Sequence, residues 1–209
     1  MRFLIIIILF LTTNNAYADH SDKHKANEDL KKSSRNFISN LTDDVLTIIK
    51  DKKIPNETKE KRLVILFNDS VDSKWIGKFV IGKYWKSLGE RQNQYLKLYE
   101  EFLFFNYASR FTQYDNEEIS ILKSSQINEN DFKVSTEILV KNKPSIAIDY
   151  YIRQDKASKK WVIYDIVAEG ISHLYSQRAE FDSVINRKDI DFLMDRLKLF
   201  VDRNRLGKI

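Results

Sequence analysis

Few residues in this chain combine the type and the spacing that chemistry requires. Asp165 and Glu169 stand four apart, which on a strand would set two carboxylates on one face for acid–base work. At the end of a strand the same pair serves more simply as hydrogen-bond anchors for a turn. Gly170-Ile171-Ser172-His173 has the opening of a nucleophile elbow, in which a tight strand-to-helix turn presents a serine. The elbow needs a second glycine at position 174, where Leu174 stands. Gly170 is therefore read as a strand-to-helix corner and Ser172 as the N-cap of the following helix. His20 and His24 could hold a metal from one helical face, but they sit in a polar stretch and are read as solvated. The run from Gly77 to Gly82 lacks the Gly-Lys-Ser/Thr ending of a phosphate loop, and no dinucleotide fingerprint occurs. No cofactor and no metal are expected.

Composition narrows the field further. The chain has 209 residues, 43% of them apolar and 31% charged, with only 5 Gly and 2 Pro, which excludes collagen-like, low-complexity and mainly disordered classes. It has no Cys, so disulfide scaffolds, thiol nucleophiles, Cys-ligated metals and a cysteine-attached lipid anchor are all excluded. The net charge of +5 is spread along the chain and is a weak argument for nucleic acid. Residues 1–18 read as a secretory signal peptide. Arg2 gives a basic start, Phe3 to Leu11 an apolar run, and Ala16-Tyr17-Ala18 a small-x-small cleavage signal. A bilayer needs about 20 apolar residues, and this run has nine. The expectation is an exported protein cut between Ala18 and Asp19, with a single domain over 19–209 that meets no nucleic acid.

The elements follow from periodicity. A polar, mobile stretch is expected from Asp19 to Asn27, and then a helix from about Glu28 to Lys50 carrying Leu30, Phe37, Leu41, Val45 and Ile49 at helical spacing. Ile54-Pro55-Asn56 breaks it, with Asn56 as N-cap of a second helix bearing Leu63, Val64, Leu66, Phe67 and Val71. A third runs from about Ser73 to Val80 and stops at Gly82. Ser87-Leu88-Gly89-Glu90 matches a capping box opening a helix to about Tyr114, with an aromatic stripe wider than one packing seam requires. The period then changes to two. Ile119–Ile127, Phe132–Lys141, Ile146–Gln154 and Lys160–Glu169 read as four strands whose short connections force antiparallel neighbours. Two more helices follow, Leu174–Ile185 and Ile190 to about Arg203. The class is α+β, with helices packed on an antiparallel sheet.

One strand breaks the alternation that a half-wet sheet should show. Trp161 to Ala168 is apolar on both faces. Either helices cover both sides, or one face borders a cavity for an apolar ligand.

Two segments resemble a known family. The first carries Ile76, Gly77, Val80, Ile81-Gly82, Tyr84-Trp85 and Gln92, then the aromatic helix to Tyr107. The second carries Trp161, Tyr164-Asp165, Ala168-Glu169-Gly170-Ile171-Ser172, Arg178, Phe181, Ile190-Asp191 and Leu197. Together, over roughly residues 60–200, they resemble the MlaC family (the toluene-tolerance auxiliary family) of periplasmic phospholipid-binding proteins. His173 and Tyr175 depart from it, at places where more aliphatic residues are expected. The resemblance implies a curved antiparallel sheet of about four strands, six or seven helices around it, and acyl chains held between them. It implies a periplasmic carrier that shuttles phospholipid between the two membranes to maintain outer-membrane lipid asymmetry. Its partners would be an outer-membrane lipoprotein complex and the substrate-binding subunit of an inner-membrane ABC transporter.

Within that picture, periodicity nominates Phe79, Tyr99, Phe102 and Phe105 for a helical wall of the lipid site, and Ile138, Ile148, Tyr150, Val162, Tyr164 and Ile166 for a sheet wall. Trp85 and Trp161 read as packing residues and Asp165 as an anchor near the sheet corner. Two other readings stay open: an exported protein-binding adaptor with a fully packed core, and a lipid esterase using Ser172 and His173.

Overall fold

The computed structural model of the chain describes residues 14–111, 118–140, 143–155 and 158–207, with side chains from 24 onward except 109–111 and 206–207. The apolar run of the expected leader lies outside these residues. The order is α1 (Asn14–Lys50), α2 (Asn56–Ser70), α3 (Ser73–Ile81), a run of 3₁₀ turns (Gly82–Arg91), α4 (Gln92–Phe111), β1 (Glu118–Gln126), β2 (Asp131–Leu139), β3 (Ile146–Gln154), β4 (Trp161–Ala168), β5 (Ile171–Ser172), α5 (His173–Arg187) and α6 (Ile190–Gly207). The five strands form one curved antiparallel sheet in sequence order. Bulges at Ile121/Lys123 and Tyr151/Ile152 bend it locally.

Local chemistry explains the joints. Asn128 Oδ1 accepts from the amides of Asn130 and Asp131 and closes the β1–β2 loop. Asp155 Oδ1 accepts from the Ser158 amide and hydroxyl in the β3–β4 loop. Glu169 and Gly170 both have positive φ, 50° and 80°, the conformation of a two-residue hairpin turn that suits right-twisted strands. A non-glycine residue tolerates it at Glu169 because the chain is tied down there. The Glu169 carboxylate accepts from the Ala147 amide at 2.6 Å, and its own amide donates to the Ala147 carbonyl at 3.0 Å. The two-residue β5 that follows makes a fifth strand where four were expected.

Three expectations need correction. Residues 19–27 are not a loose tail but part of α1, which starts at Asn14 and is about 55 Å long at 1.5 Å per residue. Asn56 is the first helical residue of α2. Pro55, fixed at φ −60° and ψ 152°, occupies the cap position, and no side chain caps it. The Ser87–Glu90 capping box does not form, because Gly89 between the two turns to φ 53°, which breaks the reciprocal geometry. The helix starts instead at Gln92, whose Nε2 donates to the Trp85 carbonyl at 3.1 Å.

Packing falls into three apolar clusters. The largest joins α3, α4, α5 and α6 through Ile76, Val80, Tyr95, Tyr99, Phe181 and Leu197. A second seats α1 on the sheet through Ile38, Phe132, Val134, Ile152 and Trp161. The third joins α2, α4 and α6 through Leu63, Phe104, Phe105, Ala108 and Val201, with Val45 and Ile49 of α1 packed against it. In the first cluster α3 lies so close to α4 that a Cβ on Gly77 would sit 2.8 Å from Tyr99 Cδ1 and 3.2 Å from Leu96 Cδ2. Overpacking of that kind costs roughly 1–3 kcal/mol, so Gly77→Ala should lower the urea midpoint accordingly without altering the sheet, and an unchanged midpoint would refute the close approach.

Candidate functional site

The three clusters have separate buried centres and are bridged by partly buried side chains, Val71 between the first and second and Phe67, Leu98 and Phe102 between the first and third. α1 is pinned to the sheet at its middle, where Trp161 Nε1 donates to Ser33 Oγ at 2.9 Å and Ser34 Oγ lies 2.7 Å from Ser124 Oγ. Its C-terminal half leaves the sheet to pack on the α2–α4–α6 cluster. The far end of α2 is tied back to β4, the Asp72 amide donating to the Ile163 carbonyl at 2.9 Å. α1 and α2 thus span from the sheet to the helical layer, and the space beneath them is a cavity of about 730 Å³. That lies within the roughly 300–1,000 Å³ of ligand pockets.

Its wall is mainly apolar. α1 contributes Leu41, Val45, Leu46 and Ile49, and α2 contributes Leu63, Leu66 and Phe67, with Val71 just past its end. The sheet adds Ile119, Ile138, Ile146, Tyr150, Ile163 and Ile166, and Ile76 and Leu103 close the helical end. Ile171, 63% exposed at the β4–β5 hairpin, also lines it and so stands at the opening. Most of the polar lining residues sit together, Asn106 and Tyr107 of α4 with His173, Ser176, Gln177 and Glu180 of α5, while Thr42 of α1, Ser70 of α2 and Asp165 of β4 stand apart from them. The Tyr107 and His173 rings stack, with Tyr107 Oη 3.5 Å from His173 Nδ1. The Tyr99 hydroxyl donates to Gln177 Oε1.

Asp165 is 8% exposed and holds the corner beside the cavity. Its Oδ1 accepts from the amides of Ile166 at 2.8 Å and Leu174 at 3.0 Å, and its Oδ2 accepts from the Ser172 hydroxyl at 2.6 Å. Ser172 Oγ accepts in turn from the Tyr175 amide at 3.1 Å, so Ser172 is the N-cap of α5. Its hydroxyl proton goes to a carboxylate and its lone pair to a backbone amide, an arrangement that caps a helix and does not prime a nucleophile.

The nominated residues divide. Ile138, Tyr150, Tyr164 and Ile166 line the cavity. Ile148 shares a strand face with Ile146 and Tyr150 but is not among the lining residues. Val162 pairs with Arg153 and takes the opposite face, because the face of β4 changes at the bulge. Tyr164 stands at that bulge and turns its ring to Trp75 and Tyr151, with the Arg153 guanidinium 4.3 Å from its centroid. Phe79 stacks on Trp75 and lines a separate recess of about 260 Å³ together with Tyr151, Val167 and Tyr175. Tyr99 is wholly buried among Tyr95, Phe102 and Phe181. Phe102 packs on Phe200 of α6, and Phe105 packs on Phe104. Tyr99, Phe102 and Phe105 of α4 therefore pack into the helical cores, and the apolar helical wall of the cavity comes chiefly from α1 and α2, with Ile76 of α3 and Leu103 of α4. The signal for those walls was the apolar periodicity of residues 30–49 and 63–71, which by itself marks only a buried face.

Burial also marks the phenols. Tyr95, Tyr99 and Tyr150 are pushed above their usual range by loss of solvent. Tyr164 is pushed up to about 12, first by desolvation and then by the neighbouring Asp131 charge. A raised tyrosine pKa favours the neutral folded form. Its contribution is complete below the unfolded value of about 10 and is lost as pH rises toward the folded value, at up to ~1.4 kcal/mol per pH unit per group. Chemical denaturation followed from pH 9 to 11.5 should show stability falling steeply above about pH 10, and the fall should be shallower in Tyr164→Phe.

Comparison with known proteins adds three findings. A family model described as MlaC protein matches residues 39–199. The intermembrane phospholipid transport system binding protein MlaC of Haemophilus influenzae is 25% identical over 199 residues, covering 92% of this chain and 88% of that protein. Among solved structures, a phospholipid-binding protein from Ralstonia solanacearum, determined in complex with a phospholipid, superposes with a TM-score of 0.66 at 20% identity. That match covers 81% of this chain and 97% of the other, and it is a likeness of fold.

Proposed function

The chain belongs to the MlaC family, and on that premise we propose that it is a periplasmic phospholipid carrier. The observation that carries this reading is the 730 Å³ cavity walled by α1, α2 and the sheet, in a fold shared with a protein whose structure holds a phospholipid. It acts by holding and handing over lipid, without covalent chemistry. Two acyl chains present on the order of thirty methylenes, or roughly 25 kcal/mol of gross burial at ~0.8 kcal/mol each. This exceeds the ceiling of about 18–21 kcal/mol for non-covalent binding, so chain ordering must offset part of it. Release into water is correspondingly slow, and transfer requires a partner that offers a competing apolar path. An outer-membrane lipoprotein complex and the substrate-binding subunit of an inner-membrane ABC transporter suit that role, in keeping with the intermembrane system to which the Haemophilus influenzae relative belongs.

The test is native mass spectrometry of the protein taken from a periplasmic fraction without detergent, followed by lipid extraction. A discrete adduct identified as phospholipid is the expected result. A bare mass that persists after incubation with phospholipid vesicles would overturn the carrier reading in favour of a protein-binding adaptor.

A further inference from the structure

An aromatic patch lies beside the cavity opening. Trp75 and Phe79 stack at 5.3 Å on α3, and the Tyr175 ring of α5 meets Phe79 edge-on at 5.4 Å. These rings line the 260 Å³ recess, which shares Tyr164, Asp165 and Leu174 with the wall of the cavity. Tyr175 is 64% exposed, and Ile171, four residues before it, is the exposed side chain at the opening. A single exposed apolar residue needs no explanation, but a contiguous group beside an open cavity marks a contact surface.

Cations edge this patch. Lys74 and Lys78 are exposed next to Trp75 and Phe79 on α3. The Arg178 guanidinium lies 4.7 Å from the Phe79 ring centre and donates to the Phe79 carbonyl at 3.2 Å, which fixes it at the edge of the recess. The neighbouring carboxylates are engaged. Asp165 accepts three hydrogen bonds, Asp182 pairs with Lys83 at 2.8 Å, and Glu169 accepts from the Ala147 amide. Glu180 belongs to the face of α5 that lines the cavity. Aromatic rings, two of them with a polar tip, set among lysine and arginine have the composition that settles at a membrane interface.

We propose that this patch docks the protein on an anionic lipid surface and so presents the cavity opening to it. The inference deepens the carrier reading and rests on it for its purpose, since the cargo must leave or join a bilayer. Ile171 belongs both to the cavity wall and to the exposed surface. Whatever covers the patch therefore faces the open cavity, and a lipid surface there gives acyl chains a path that does not cross water. The rings supply apolar contact and the cations attraction to acidic head groups, each lysine or arginine near the surface contributing about fivefold in affinity.

The experiment uses the exported protein recovered from the periplasm without its leader, because the apolar run of residues 3–11 would itself hold vesicles. Co-sedimentation is measured on phosphatidylcholine vesicles with and without phosphatidylglycerol, for wild type, Lys74→Gln/Lys78→Gln, Tyr175→Ser and Phe192→Ser. Phe192 is an exposed ring on α6, beyond the opposite end of α5. Wild type should prefer the glycerol-containing vesicles. The double lysine variant should bind them about 25-fold more weakly and Tyr175→Ser about tenfold more weakly, with Phe192→Ser unchanged and all denaturation midpoints near wild type. Wild type that treats both kinds of vesicle alike, or variants that all bind as wild type does or all weaken equally, overturns the lipid surface as the occupant. Native mass spectrometry on the same samples separates the two readings. Lipid-loaded protein that ignores vesicles leaves the carrier reading intact, whereas docking by protein that never carries lipid overturns the carrier reading alone.

Discussion

Asp165→Ala will lower the thermal midpoint by about 6–12 °C, and the protein that remains folded will still load phospholipid. The carboxylate accepts from two backbone amides and one hydroxyl at 2.6–3.0 Å in a site that is 8% exposed. Alanine leaves those donors without partners at the corner where β4, β5 and α5 meet. A buried donor left unpaired costs about 1–3 kcal/mol, and because the three groups are coupled the sum is put at about 3 kcal/mol. For a chain of this size each kilocalorie moves the midpoint by roughly 2–4 °C. Asp165→Asn keeps an oxygen for the amides but presents an amide N–H group to Ser172 or to the backbone, and should recover part of the loss. Calorimetry and lipid loading on the same samples separate the roles: a variant with wild-type stability that no longer binds or transfers lipid would move Asp165 from support to function.

Leu46→Trp combined with Leu66→Trp will reduce retained phospholipid by about a hundredfold at nearly unchanged stability. Both leucines face the cavity and neither belongs to the three packed clusters, so added bulk goes into open space and does not strain a filled core. Excluding about four methylenes at ~0.8 kcal/mol each removes about 3 kcal/mol of lipid burial, which is about a hundredfold in affinity. The measurement is competition for lipid between the loaded protein and excess vesicles, with the denaturation midpoint as control. Full retention in the double variant would place the lipid elsewhere in the molecule. In that case the smaller recess around Trp75 and Phe79 is the next place to look.

Much of this was legible along the chain. The change from helical to alternating period after α4 placed the sheet, and the short connections made it antiparallel. A place at a strand end marks Asp165 as an anchor and Ser172 as a cap, and the bonds to Leu174 and Tyr175 have that form. The Ser87–Glu90 motif failed because its spacing is necessary for a capping box but not sufficient: one glycine at φ 53° between the partners redirects both. The α4 aromatics are a different case. Tyr99, Phe102 and Phe105 have the size and spacing of a ligand wall, but α6 brings Phe200 and α5 brings Phe181 against that side, and rings already packed on rings leave no volume.

The amino-acid sequence by itself determined the class of the fold, the exclusion of cysteine chemistry, and which face of each element is buried. These are local properties, fixed by residue type and by the periods of helix and strand. Where the buried faces leave space was decided only by the tertiary structure. A periodic apolar face has the same pattern whether it meets another side chain or a void. The void exists because α1 is pinned to the sheet through Ser33 and Ser34 and then leaves it for a separate core, and the polar face of α5 becomes a feature of that void only once α5 is capped at Ser172 and laid along its edge.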